Sequence, residues 1–396
     1  MKYFEKILFS IRKRINLIES FFRVRDDKIV VFGAWLGNKF SCNSRYLYQY
    51  LSENKEKLGL KNVVWVTRNE KVYETLNNMG YEVYMFGSKE SIYYHKNAGY
   101  HIICNSDDFL TGDIEIIYSY GAKCINLWHG LPFKSFGKMS NEYKAKRLKK
   151  RFSLDFMHFN KGWTSCYYLS TTKYVTEQFN KCLEIGYDKF IESGYPRNCK
   201  EVRLTNYEKK IIEDIKKYNY IFLYLPTFRT GDNVFNFISF SKNLSDILLE
   251  NNILWIQKAH YHDEQNILKE NMSDNVLSLN SDFDINVLMP YIDFLVTDYS
   301  SVMFDAMYYR KPILYLIPDI DEYRKGDRGL NLVHPSEVQT GPVFFSINEL
   351  KEKILYYCIH PEEAFRDDYE KVREMYWGKE EKDISDIWQD IYEKLK

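Results

Sequence analysis

From Lys28 onward the chain alternates short apolar runs with longer stretches of helical character, and this alternation limits the available folds more than any other feature. The runs KIVVFGAW, NVVWVT, YEVYMF, YHIICNS and KCINLWHG begin at Lys28, Asn62, Tyr81, Tyr100 and Lys123. They are short and rich in Val, Ile and aromatic residues, so each reads as a strand. Between the first two, SRYLYQYLSENKEKLG reads as a helix from Ser44. Strands separated by helices predict βαβ units and a parallel sheet. A further strand is expected near YYLSTT, and KFIESGYP closes this half near residue 198.

A charged helix, NYEKKIIEDIKKY, opens a second series at Asn206. Its expected strands are YIFLYLPTF from Tyr220, ILWIQKAH from Ile253, NVLSLN from Asn275, FLVTD from Phe294, PILYLI from Pro312 and GPVFFS from Gly341. The stretch after Pro361 is helical and charged. The expected organisation is therefore a basic helix over 1–27, one domain over 28–200, a second over 201–360 and a helical segment over 361–396. The fold class is α/β, with two doubly wound, Rossmann-like domains of similar size facing a cleft. Ligands in such folds bind at the carboxyl ends of the strands.

Composition narrows the function. With 45% hydrophobic and 28% charged residues, the 396-residue chain reads as soluble and globular. Its net charge is zero, which gives no electrostatic case for nucleic acid. Seven cysteines, at 42, 104, 124, 166, 182, 199 and 358, include no Cys-x-x-Cys pair and are odd in number. That argues against a zinc site or a disulfide framework and points to a reducing cytoplasm. No apolar run approaches the ~18 residues of a membrane span, and no signal-peptide pattern is present. At the N-terminus, however, Phe4, Leu8, Ile11, Ile15, Ile18 and Phe22 form one helical stripe. Lys2, Lys6, Arg12, Lys13, Arg14, Arg23 and Arg25 accompany it. Such a helix suits an anionic membrane surface, or packing on the protein's own body.

Chemically capable residues gather at the strand ends. Gly37 follows the first strand, His129 follows INLW, Arg229 follows FLYLPT, and His260 ends LWIQKA. In VTDYSSVMFD, from Val296, Ser300 and Ser301 stand where a strand turns into a helix. A helix start presents unpaired N–H groups that suit a phosphate, although Asp and Ser are also ordinary caps. The His129 imidazole can take a proton from a hydroxyl near neutral pH, or merely cap its turn. Lys134 can meet an anion or stay a surface lysine. Arg229 suits a phosphate or a structural salt bridge, and Arg328 a phosphate or a mobile loop. Asp305 can reach a ribose hydroxyl or stabilise the first helical turns. His262 points away from His260 if the strand end is extended. The basic run KAKRLKKR, Lys144 to Arg151, is a solvated face or a site for a polyanion or lipid headgroups.

Taken in order, WHGLPFKSFG, SGYPRN, LPTFR, KAH and VTDYSSVMFDAMYYRKPILYLIPDIDEYRKGDRGL resemble the CDP-glycerol glycerophosphotransferase family, which primes and polymerises teichoic acids and related capsular polymers. The resemblance runs from about Val31 to Leu330. It implies a glycosyltransferase-B type architecture, with an acceptor-side first domain and the CDP-donor on the second. It implies His129 as the base on the acceptor hydroxyl and His260 at the donor diphosphate. Arg229, Ser300 and Ser301 would bind that diphosphate, with Asp305 and Arg328 beside the nucleotide. Gly37, Lys134 and Arg197 are assigned to the acceptor or to an anion. Leu131 and Phe133 depart from the more polar run usual there. The implied reaction moves glycerol phosphate, or a related alditol phosphate, from a CDP-linked donor to a lipid-linked or polymeric acceptor hydroxyl and releases CMP. The site is expected on the cytoplasmic face of the cell membrane, with the protein held there peripherally. No metal ligand or required cofactor is expected, since DFD at 282–284 and DID at 319–321 read as loops, though Mg²⁺ could assist. Two rivals remain open: a nucleotide-sugar glycosyltransferase of the same architecture, and an inactive module that binds polyanion or membrane.

Overall fold

Buried parallel strands need near-continuous apolar runs, because helices cover both faces of such a sheet. The computed structural model meets that condition in two sheets. It describes residues 8, 11–12, 15–16, 18–105, 118–119, 121–139, 166–199, 202–227, 237–258, 275–320, 323 and 332–396, with side chains of the 237–258 segment described from 244 onward. The chain divides into two compact units. The first comprises Met1–His129, Lys149–Thr205 and Glu381–Lys396, the second Gly130–Leu148 and Asn206–Glu380.

In the first unit seven strands are β1 (Asp26–Phe32), β2 (Asn62–Thr67), β3 (Val83–Met85), β4 (Ala98–Ile103), β5 (Lys123–Asn126), β6 (Tyr167–Ser170) and β7 (Phe190–Glu192). They lie in the order β3-β2-β1-β4-β5-β6-β7, and every pairing is parallel. In the second unit β8 (Tyr220–Tyr224), β9 (Ile253–Lys258), β10 (Val276–Leu279), β11 (Phe294–Thr297), β12 (Ile313–Leu316) and β13 (Val343–Phe344) follow the order β10-β9-β8-β11-β12-β13. These too pair in parallel. The strand order therefore reverses direction between β1 and β4, and again between β8 and β11. Such switch points open a crevice beyond the carboxyl ends of the strands.

Each sheet is held by aromatic packing. Phe222 stacks on Phe294 at 4.6 Å and on Trp255 at 6.2 Å, all three fully buried. Burying one such ring removes enough apolar surface to contribute about 2–3 kcal/mol. The expected helical tail after Pro361 divides between the units. The helix Ile384–Leu395 buries Ile384, Ile387, Trp388 and Ile391 in the first, where Trp388 packs edge-on against Tyr100 at 6.1 Å. Asp390 there accepts hydrogen bonds from Ser193 and Lys382.

The basic N-terminal helix docks in an unexpected sense. Its described residues between 8 and 22 are helical, and Leu8, Ile11, Ile15, Ile18 and Phe22 are all exposed. The opposite, polar face meets the body: Asn16 is buried, and Glu19 lies 3.7 Å from Lys96. Arg25 turns inward, donating to the carbonyls of His95, Ala98 and Tyr118 at 2.6–2.9 Å. Burial lowers its pKa to about 10.

His101 sits in β4 with no exposure at all. Burial first, then the neighbouring charges of His95 and Arg25, hold its imidazolium well below the ordinary range. A histidine of depressed folded pKa binds its proton more readily in the unfolded chain. Its contribution is thus complete above about pH 6.5 and is lost as pH falls further. Stability should drop by about 1.4 kcal/mol per pH unit below that point for each such histidine. Urea unfolding at pH 7.5 and 5.5 measures this, and His101→Asn should flatten the profile.

Candidate active site

The first unit builds its centre at the switch between β1 and β4. After β5 the chain turns sharply through Leu127, Trp128 and His129, and Trp128 adopts the left-handed φ of 58°. The Asn126 carboxamide oxygen accepts the Trp128 N–H at 2.9 Å, which tightens the turn. The His129 ring stacks on Trp128 at 5.0 Å and meets Trp35 at 5.4 Å. Its Nδ1 lies 3.1 Å from the Cys104 carbonyl at the end of β4. A carbonyl can only accept, so Nδ1 carries the proton in the neutral ring and Nε2 keeps its lone pair. Burial pushes the His129 pKa down to about 4, with the Cys104 carbonyl opposing the shift and the Arg197 cation adding to it. His129 as a residue is half-buried, and the downward shift keeps its imidazole neutral at pH 7.

Trp35 comes from the loop after β1, where Trp35, Leu36 and Gly37 take φ values of 52°, 59° and 77° in succession. Left-handed backbone at two bulky residues costs of order 1–2 kcal/mol each. The loop is held by its neighbours: the Gly37 carbonyl accepts from the Arg68 N–H and the Thr67 hydroxyl, both at 2.7 Å. At Gly37 a Cβ would lie 3.0 Å from the Arg68 side chain, so only glycine fits both the angle and the space. Gly37 thus shapes the loop that brings Trp35 to His129. Arg197 is buried, its Nη1 donating to the His129 carbonyl at 2.6 Å.

The second unit has a matching centre at the switch between β8 and β11. The Thr297 hydroxyl donates to the Leu225 carbonyl at 2.7 Å. Asp298, almost fully buried, accepts the Thr227 N–H at 2.8 Å, the Thr227 hydroxyl at 2.7 Å and the Tyr299 N–H. These bonds lock the loop after β8 to the loop after β11. Ser300 and Ser301 follow directly and lead into the helix Val302–Tyr308, whose first turn holds the buried Asp305. The Ser301 side chain makes no capping bond to this helix, and the Ser300 Oγ stands at the outer limit, 3.5 Å, from the Val302 N–H. Lys134 Nζ donates to the Thr227 hydroxyl at 3.2 Å and lies 5.1 Å above the Tyr323 ring, which stacks on Tyr299 at 4.4 Å. A Cβ at Gly130 would lie 2.7 Å from Ser301 Oγ, so the glycine lets the 130–134 segment approach the serine pair. Leu131 and Phe133 are buried in this unit, with Phe133 edge-on to Phe304 at 6.3 Å.

Within the second unit, then, Lys134, Ser300, Ser301 and Asp305 are gathered around one switch point, and within the first, Gly37, His129 and Arg197 around the other. Arg229, His260 and Arg328 lie outside the described residues, as do His262 and the basic run 144–151. Asp284 of the DFD segment caps a short helical turn by accepting from the Asn286 N–H. Trp35, Asn43, Thr227 and Asp298 carry no assigned role in the sequence, although Thr227 lies inside LPTFR and Asp298 inside VTDYSSVMFD.

Two doubly wound parallel sheets, each with polar groups at its switch point, define an architecture of the glycosyltransferase-B type. The sequence matches CDP-glycerol:poly(glycerophosphate) glycerophosphotransferases over residues 15–386, and the chain belongs to that family. It is 30% identical over 341 residues to the teichoic acid poly(glycerol phosphate) polymerase of Bacillus spizizenii, covering 82% of this chain and 84% of that one. It is 26% identical to the teichoic acid glycerol-phosphate transferase of Staphylococcus aureus, covering 81% and 82%. A structure of the wall teichoic acid polymerase TagF, a histidine variant soaked with CDPG, superposes with a TM-score of 0.76 at 20% identity, covering 100% of this chain and 96% of that one. The chain is accordingly an enzyme, a CDP-glycerol glycerophosphotransferase of teichoic acid biosynthesis.

Proposed function

We propose that this enzyme extends or primes a lipid-linked glycerol-phosphate chain, with His129 as the base on the acceptor hydroxyl. The observation that carries this reading is the fixed tautomer of His129: Nδ1–H is committed to the Cys104 carbonyl, so Nε2 is an acceptor at neutral pH. Nε2 takes the proton as the hydroxyl oxygen bonds to the β-phosphorus of CDP-glycerol. The bond from that phosphorus to the bridging oxygen breaks, and CMP leaves with the electron pair. Ser300, Ser301 and Lys134 are proposed to hold the diphosphate, with Asp305 near the nucleotide. Arg229, His260 and Arg328 are proposed for the same donor on their motif positions. Such a transfer asks the protein mainly for positioning and charge stabilisation.

CMP release from CDP-glycerol, CDP-ribitol and UDP-sugars, with a membrane extract as acceptor source, tests donor and chemistry together. The expected result is release from a CDP-alditol alone. UDP release with inert CDP-alditols would move the reading to a glycosyltransferase. Repeating the assay with EDTA and then Mg²⁺ reads any metal dependence.

We further propose that the protein rests on the cytoplasmic face of the membrane through its N-terminal helix. No described helix is long and apolar enough to cross a membrane. The polar face of the N-terminal helix meets the body while Ile11, Ile15 and Ile18 face outward, an arrangement that suits an interfacial helix. Sedimentation with vesicles containing anionic lipid should weaken by about tenfold in Ile15→Asp, since a charge replaces an exposed apolar side chain on the face proposed to enter the membrane surface. Unchanged binding would remove the anchor.

A further inference from the structure

Trp128 is a bulky residue in a left-handed conformation, and strain of that kind persists only where the surroundings over-determine it. Here the surroundings come from two distant segments. Asn43, at the start of the helix Cys42–Glu53, is fully buried, and its Nδ2 donates to both the Leu127 carbonyl at 3.1 Å and the Trp128 carbonyl at 2.9 Å. Arg197, in the short turn Pro196–Asn198, donates from Nη1 to the next carbonyl, that of His129, at 2.6 Å. The two arms are joined, because Asn43 Oδ1 accepts the Arg197 backbone N–H at 3.2 Å. Cys42 Sγ fills the space between them, 3.3 Å from Arg197 Nη1. Three consecutive carbonyls of one turn are thus held by one connected pair of buried side chains.

We infer that Asn43 and Arg197 are positioning residues for the transfer: a clamp on the 127–129 turn that aims His129 at the acceptor hydroxyl. This rests on the reading of His129 as the base. The choice of residues supports it. Neutral donors suffice to satisfy a carbonyl, and burying a guanidinium is costly. A cation beside the turn also opposes a second charge on the imidazole, in the direction the His129 shift takes. The aim matters because a misplacement of about 1 Å at a reacting group can cost 10²-fold in rate.

The full-length protein and three variants test this: Arg197→Gln removes the cation, Arg197→Lys keeps it without the fork, and Asn43→Asp turns a donor into an acceptor facing two carbonyls. CMP release is followed against CDP-glycerol concentration and pH, with circular dichroism confirming the fold. Arg197→Gln and Asn43→Asp should lower kcat about 10- to 100-fold with the KM for CDP-glycerol within about twofold. Arg197→Lys should recover part of the loss. The acid limb of kcat should move to higher pH in Arg197→Gln and stay in Arg197→Lys, a change that a purely structural role would not produce. If Arg197→Gln does not fold, Asn43→Asp and Arg197→Lys carry the reading. Folded variants with wild-type kcat and pH profile would overturn the clamp while an inactive His129→Ala left the base in place. An active His129→Ala would overturn both.

Discussion

Replacing His129 with alanine is expected to lower CMP release from CDP-glycerol by about 10²- to 10⁴-fold, the usual contribution of a positioned general base. The KM for the donor should change little, because the ring belongs to the first unit's centre and the serine pair to the second's. The protein should remain folded. The polar bond from the His129 Nδ1 to the Cys104 carbonyl is replaceable by water at a partly exposed site. His129→Gln restores a hydrogen-bonding side chain but not a basic nitrogen that can take up a proton, so it should remain as slow as the alanine variant. Single-turnover CMP release separates this from a loss of binding, and near-normal rates in either variant would dismiss the base assignment.

The second large effect is on stability. Asp298→Ala removes a buried acceptor from the Thr227 N–H, the Thr227 hydroxyl and the Tyr299 N–H. Each buried donor left unsatisfied costs about 1–3 kcal/mol, so the total loss should be about 3–5 kcal/mol. Asp298→Asn keeps one accepting oxygen in the same place and should lose less than half as much. The same substitution frees Thr227, to which Lys134 donates, so the donor KM should rise in whatever fraction stays folded. Scanning calorimetry checks the order, and an Asp298→Ala protein as stable as the parent would show that the two loops are held by something else.

Much of this architecture was legible because buried parallel strands have a plain signature. KIVVF, NVVWVT and YIFLY can bury both faces only in the middle of a covered sheet, and all three are strands there. The candidate residues were legible for a related reason: a polar group directly after such a run has few places to go except the sheet's carboxyl edge. His129 and the Ser300–Ser301 pair stand there. The N-terminal helix was harder. Its apolar stripe is unmistakable, but periodicity defines a face and not what the face meets. The stripe turns outward because Asn16, Glu19 and Ser20 lie on the side that meets the body, an outcome that hydrophobicity alone would not select. Leu131 and Phe133 read as departures near a site, and both are buried, Phe133 edge-on to Phe304.

The chain's own pattern of apolar runs and breaks determined the strands, their sidedness and the motifs at their ends, since burial and local backbone preference act over a few residues at a time. Strand order was decided only in three dimensions, and with it the two switch points. So was the convergence of Asn43, Cys104 and Arg197 on the turn that carries His129. Those residues are separated by tens of positions along the chain, and hydrogen bonds of about 3 Å between them leave no mark on spacing or composition. Asp298 makes the same point in the other unit: inside its motif it looks like a helix cap, and only the approach of Thr227 from β8 makes it the tie between two loops.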